Sequence, residues 1–181
     1  MKRLICSLIL TLSVNLSAAT LDGITFADKA NIEGKELVLN GIGIRKATFL
    51  KIKVYYGALY LAAKNKEAAS ILASPSPKQI VMHFVREVDA KKLQDAFLEG
   101  MEAANKNPEA LKASMDKFNA NVPDVVKNDI MTITFLSDGV VMNVKGKTLE
   151  KISGAEFSKA LLNIWFTNAR DENLRNGLLG L

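Results

Sequence analysis

One stretch, Leu37 to Leu61, constrains the fold more than any other: LVLNGIGIRKATFLKIKVYYGALYL. It is rich in Val, Ile, Leu, Tyr and Phe, residues that suit a pleated, buried surface. Its glycines fall where the backbone must turn or be closely approached. Ile44 to Lys53 and Val54 to Leu61 read as two strands or as one long bent strand. Within Val54 to Leu61, Val54, Tyr56, Ala58 and Tyr60 share one face, and Tyr55, Gly57, Leu59 and Leu61 share the other. Both faces are largely apolar, so this strand is expected to be central and covered on both sides.

Arg45 follows Gly41 and Gly43 and sits among apolar strand residues. Strand alternation alone sends it to water as readily as inward. Pointing inward, an unpaired guanidinium would cost several kcal/mol and would need an anionic partner. The sequence offers Glu36 and Glu87 for an internal ion pair, or leaves the task to a bound anion.

The N-terminus reads as an export signal. Lys2 and Arg3 precede a mostly apolar Leu4 to Leu16, and Ser17-Ala18-Ala19 supplies small residues for cleavage before Thr20. The apolar run is too short to span a bilayer comfortably. The expected organisation is a signal peptide over residues 1–19 and one domain over 20–181, periplasmic or secreted. Cys6 is the sole cysteine and leaves with the signal, so no disulfide is expected. The formal net charge is +5, and loss of Lys2 and Arg3 leaves +3. The basic residues are scattered among acids, which argues against a nucleic-acid partner. His83, the only histidine, has no ligand-type residue at metal spacing. Neither a metal nor another cofactor is expected, and no membrane span is expected after the signal. The sequence sets no oligomeric state.

Along the domain, Leu21, Ile24 and Phe26 suggest a short first strand, and Asp28 to Lys35 a polar turn. Glu36 to Asn40 reads as a strand ended by an Asn40-Gly41 hairpin turn. Glu67 to Ala73 reads as a short helix stopped by Pro75 and Pro77, and Lys78 to Arg86 as a strand. Asp89 is placed to cap a helix running to about Asn105, with Leu93, Phe97 and Met101 on its buried stripe. Pro108 opens a second helix carrying Leu111, Met115 and Phe118. Asp129 to Leu136 and Val140 to Val144 form a hairpin, and Lys147 to Ile152 a further strand. Ser153 to Glu156 reads as a capping box for a helix bearing Phe157, Leu161 and Trp165. Asp171 caps the last helix, which ends at Gly180. Hairpins dominate and no regular strand–helix–strand alternation exists. The fold class is therefore α+β, a mainly antiparallel sheet with helices on one face.

The segment LNGIGIRKATFLKIKVYYGALYL, the strand KQIVMHFVREV with its following helix, and GAEFSKALLNIWF with the terminal LLGL together resemble the bacterial chalcone isomerase-like family. The resemblance covers about Leu21 to Leu181. It implies a large antiparallel sheet, a helical layer over one face, and a ligand cleft between them. Gly41-Ile42-Gly43 is not a dinucleotide fingerprint, because the third glycine is missing and a strand follows. The family has an isomerase branch, which closes chalcones to flavanones, and a branch that binds fatty acids. In both, an arginine matches Arg45. A guanidinium stays charged in an apolar cleft and offers a planar fork of donors.

The same resemblance separates the branches by residue. Tyr55 stands where the isomerase has a catalytic threonine. Leu93 and Gly100 stand near the isomerase's tyrosine and asparagine, and neither can donate a side-chain hydrogen bond. Ser158 keeps a hydroxyl. No catalytic residue is assigned; the candidate ligand-binding residues are Arg45, Tyr55 and Ser158. The expected function is non-catalytic binding of a fatty acid or similar lipophilic anion. Two alternatives stay open: an isomerase or intramolecular lyase acting on an enone, and a structural or interaction module with Arg45 in an internal salt bridge.

Overall fold

The computed structural model describes residues 18–47, 50–167 and 171–181. The proposed signal peptide lies outside the described residues up to residue 17. Strands β1 (Ala18–Leu21) and β2 (Ile24–Ala27) form a hairpin of their own around Asp22-Gly23. The expected single first strand is thus two. Cleavage before Thr20 would leave only half of β1.

The main sheet is antiparallel and curled. It contains β3 (Lys29–Ile32), β4 (Lys35–Ala47), β5 (Ile52–Leu61), β6 (Lys78–Phe84), β7 (Ile130–Leu136), β8 (Gly139–Val144) and the two-residue strands β9 (Lys147–Thr148) and β10 (Ile152–Ser153). Their order is β10-β8-β7-β6-β5-β4-β3, with β9 beside β8. The polar turn expected at Asp28 to Lys35 contains β3, because Glu33-Gly34 alone closes the turn, both at positive φ. The single strand expected at Lys147 to Ile152 is β9 and β10.

The largest departure from expectation is at Asn40-Gly41. No hairpin forms there, and β4 runs straight through as a bulge. Leu39 pairs Tyr60 and Gly41 pairs Leu59, leaving Asn40 as the extra residue. The Asn40 amide donates to the Leu178 carbonyl at 2.8 Å and its oxygen accepts the Asn65 amide proton at 2.7 Å. Both side-chain functions are therefore satisfied away from the ladder. Because side chains alternate with period two, one inserted residue swaps the faces of everything after it. Leu37 and Leu39 pack on the β1–β2 side, whereas Gly41, Gly43 and Arg45 face the other way.

The helices are α1 (Ala68–Ala73), α2 (Ala90–Ala104), α3 (Lys112–Asn119), α4 (Ala155–Asn163) and α5 (Glu172–Leu179), with a 3₁₀ turn at Pro108–Leu111 before α3. The second expected helix is therefore split. The capping box does not form: Ser153 pairs in β10, and Gly154 caps α4 at φ 137° without a side-chain bond. Asp171 does cap α5, accepting from the Asn173 and Leu174 amides.

Two apolar clusters lie on opposite faces of β5. Tyr56, Ala58 and Tyr60 pack with Phe26 under the β1–β2 hairpin. Tyr55, Leu59 and Leu61 belong to the main core with Phe97, Phe118, Phe157 and Trp165 of the helical layer. The central strand is covered on both faces, as its sequence requires. Helix α5 lies directly on β4 because glycine faces glycine. A Cβ on Gly41 would sit 2.1 Å from the Gly177 carbonyl oxygen, and one on Gly43 2.4 Å from that of Leu174. No helix of the described residues is long and apolar enough to cross a membrane.

Candidate functional site

After the bulge, Arg45 points to the helical side directly opposite Tyr55 on β5. The two side chains line a cavity of about 100 Å³ between the sheet and α2. Leu93, Ala96, Phe97 and Gly100 of α2 form one wall, Met82 the floor, and Ile164, Trp165 and Leu174 the remainder, with Asp171 beside Arg45. Leu93 and Gly100, the positions without donors, are therefore on the cavity wall. Only Arg45, Tyr55, Trp165 and Asp171 bring polar atoms to a lining that is otherwise aliphatic or aromatic.

Arg45 is not left without a protein anion. Its Nη1 lies 3.9 Å from Asp171 Oδ2, the Arg45 side chain being 22% and the Asp171 side chain 6% exposed. The expected partners are not used: Glu36 pairs with Lys29 at 2.8 Å, and Glu87 is exposed. The contact is an ion pair without a hydrogen bond, because 3.9 Å exceeds donor–acceptor range. The Asp171 carboxylate is already engaged by backbone. Oδ1 accepts from the Asn173 amide at 3.0 Å and the Leu174 amide at 3.4 Å, and Oδ2 accepts from the Lys46 amide. Among the described residues the guanidinium donates once, from Nη1 to the Lys46 carbonyl at 2.6 Å. An arginine carries five N–H donors. Those on Nε and Nη2 have no acceptor among the described residues.

Tyr55 accepts a hydrogen bond from Trp165 Nε1 at 3.2 Å. Burial pushes its phenol up to about 12; the Arg45 charge opposes that shift and the Asp171 charge adds to it. Tyr55 is therefore a neutral hydroxyl at ordinary pH, its own proton given to no described acceptor. A neutral phenol and a guanidinium can grip a carboxylate or another oxyanion together.

Ser158 is not part of this arrangement. Its hydroxyl is buried and donates to the Leu136 carbonyl at 2.8 Å, holding α4 to the end of β7. His83 pairs opposite Tyr56, on the sheet face away from the cavity. Asp171 and Trp165 were legible in sequence only as a helix cap and a buried stripe residue. The matched glycines Gly41, Gly43 and Gly177 were the available signal that α5 would bring Asp171 onto β4.

Sheet, helical layer and an arginine–tyrosine pair lining the gap between them define an α+β protein with a cavity at the sheet–helix boundary. The chain belongs to the chalcone isomerase-like family, whose model matches residues 18–180. No curated protein matches the sequence. Among solved structures, a fatty-acid binding protein of Arabidopsis thaliana is similar, with a TM-score of 0.68 and 16% identity over 90% of this chain and 96% of that one. At that identity the likeness concerns the fold.

Proposed function

We propose that this protein is a non-catalytic carrier for a fatty acid or similar lipophilic anion, with Arg45 and Tyr55 at the head group, acting in an exported compartment. The observation that carries the reading is a pair of guanidinium nitrogens with no acceptor among the described residues, beside a neutral phenol on the lining of a largely apolar cavity. Asp171 does not remove that capacity. Its charge is shared with three backbone amides, two of them at the α5 N-terminus, where a carboxylate is stabilised. The similar Arabidopsis protein is a fatty-acid binder, which agrees with this reading. Each buried methylene contributes about 0.8 kcal/mol, so the tail supplies most of the affinity and Arg45 fixes orientation.

The cavity of about 100 Å³ is smaller than the roughly 150 Å³ void that accepts benzene. A long acyl chain therefore enters only when α2 moves off the sheet. The small residues Ala96, Gly100 and Ala103 lie on that wall.

A structural role for Arg45 is the second reading, favoured by the Asp171 pair. Native mass spectrometry of protein purified from its own host separates them. The carrier reading expects an adduct with the mass of a lipophilic acid, absent from Arg45→Ala. Ligand-free protein, or an adduct retained in Arg45→Ala, would leave only the structural role.

A further inference from the structure

One end of the sheet combines exposed aliphatic side chains with cations that form no ion pair with a described residue. Among the described residues six large apolar side chains are exposed, and four lie here: Leu50 (65%), Ile52 (37%), Val126 (49%) and Ile130 (44%). Strand register brings them to the same end of the sheet, Ile130 standing in line with His83 and Tyr56 and Ile52 further out on β5. Ala47 pairs Ile52 at the β4–β5 tip, the Phe84 amide bonds the Asp129 carbonyl, and the Lys145 amide bonds the Ile130 carbonyl. Lys51, Arg86 and Lys127 are exposed at this end and form no ion pair with a described residue. The Asp22 pKa, lowered chiefly by the Lys53 hydrogen bond, is lowered further by nearby, half-buried Lys46. The nearby acids are largely occupied. Asp22 bridges Lys53 at 2.6 Å, Asp129 bridges Lys145 at 2.9 Å, and Asp124 accepts the Ala90 amide proton at 2.7 Å; Asp22, Asp124 and Glu87 are exposed.

We infer that this end docks on the surface of an anionic lipid bilayer. Aliphatic side chains interleaved with lysines match the acyl–headgroup boundary, where the chains enter the apolar layer and the cations meet lipid phosphates. A protein partner is a poorer match, because interface cores are depleted in lysine. The polar end of the cavity adjoins this patch, since Lys46 follows Arg45 directly. The inference deepens the carrier reading by naming the bilayer as the place where the ligand is exchanged.

Sedimentation with sucrose-loaded vesicles tests it. Vesicles of phosphatidylcholine mixed with phosphatidylglycerol are expected to bind the protein, and phosphatidylcholine alone to leave it in solution. Neutralising one lysine weakens binding about fivefold, so Lys51→Gln with Lys127→Gln weakens it about 25-fold. Leu50→Ser weakens it without changing its salt dependence. All three sites are exposed, and circular dichroism checks that the variants stay folded. Equal binding to both vesicle types, binding to neither, or full binding by the double variant would overturn the docking surface. Gly100→Leu, which fills the cavity, is expected to keep vesicle binding and lose the lipid adduct. Failure of the docking surface is thereby read apart from failure of the carrier reading.

Discussion

At the scale of single residues, the site rests on how much charge Asp171 leaves on Arg45. The two groups are 3.9 Å apart and mostly shielded from water. Asp171→Asn keeps an efficient helix cap and removes the charge. If Arg45 serves a bound anion, that variant should bind a long-chain carboxylate about tenfold more tightly, since a competing anion has gone. Calorimetric titration reads this, and unchanged affinity would mean the guanidinium faces no ligand. Tyr55 gives a second test. Its native value of about 12 lies above the ordinary 10.0, so the native state keeps a proton that the unfolded state loses. Tyr60, buried under the β1–β2 hairpin, is likewise pushed up to about 12. The resulting stability is complete below pH 10 and is lost as pH rises from 10 towards 12. For Tyr55 the loss is on the order of 2–3 kcal/mol. Urea unfolding from pH 8 to 11 should show this decline, and Tyr55→Phe should make it shallower. Tyr55 was legible as a candidate through the family resemblance and Arg45 through its apolar neighbours, and both line the cavity. The partner of Arg45 was not, because Asp171 is distant in sequence and reads simply as a cap.

At the scale of elements, one inserted residue in β4 decides where the arginine points. Asn40-Gly41 is also the composition of a hairpin turn, so local sequence favours the wrong answer. The turn loses because Asn40 bonds both α5 and the Asn65 loop, while Gly41 admits the α5 backbone. These are tertiary contacts that no local pattern encodes. Ser153 fails as a cap for a related reason, being held in β10 opposite Gly139. The long periodic helices and the Ser137-Asp138 hairpin, by contrast, were legible because their signals are local. The glycines make the β4–α5 packing testable. Gly43→Ala drives a methyl into the Leu174 backbone, which cannot rotate aside, and should destabilise by about 2–4 kcal/mol. Gly100→Ala meets only the Ile164 side chain at 3.3 Å and gains about 1 kcal/mol of helix propensity. It should fold normally and bind ligand less well. Thermal unfolding compares the two, and a Gly43→Ala protein as stable as the parent would contradict the packing described.

At the scale of the molecule, the two faces of the curled sheet do different work. The β1–β2 hairpin seals the outer face over β4 and β5, and the helical layer seals the inner one except at the cavity. The α+β architecture was readable from the order of strands and helices together with two-sided burial of β5. The cavity was not, because its size depends on how closely α2 approaches the sheet, which composition does not set. Trp165 is the sole tryptophan and lies on the cavity wall, so its emission reports occupancy directly. The decisive measurement is a fluorescence titration of the protein and of Arg45→Ala with dodecanoate and with dodecanol, whose chains are the same length. The account predicts saturable binding of the acid, at least tenfold weaker binding of the alcohol, and no such preference in Arg45→Ala. Equal binding of acid and alcohol by the parent protein, or an acid preference surviving without Arg45, would contradict it.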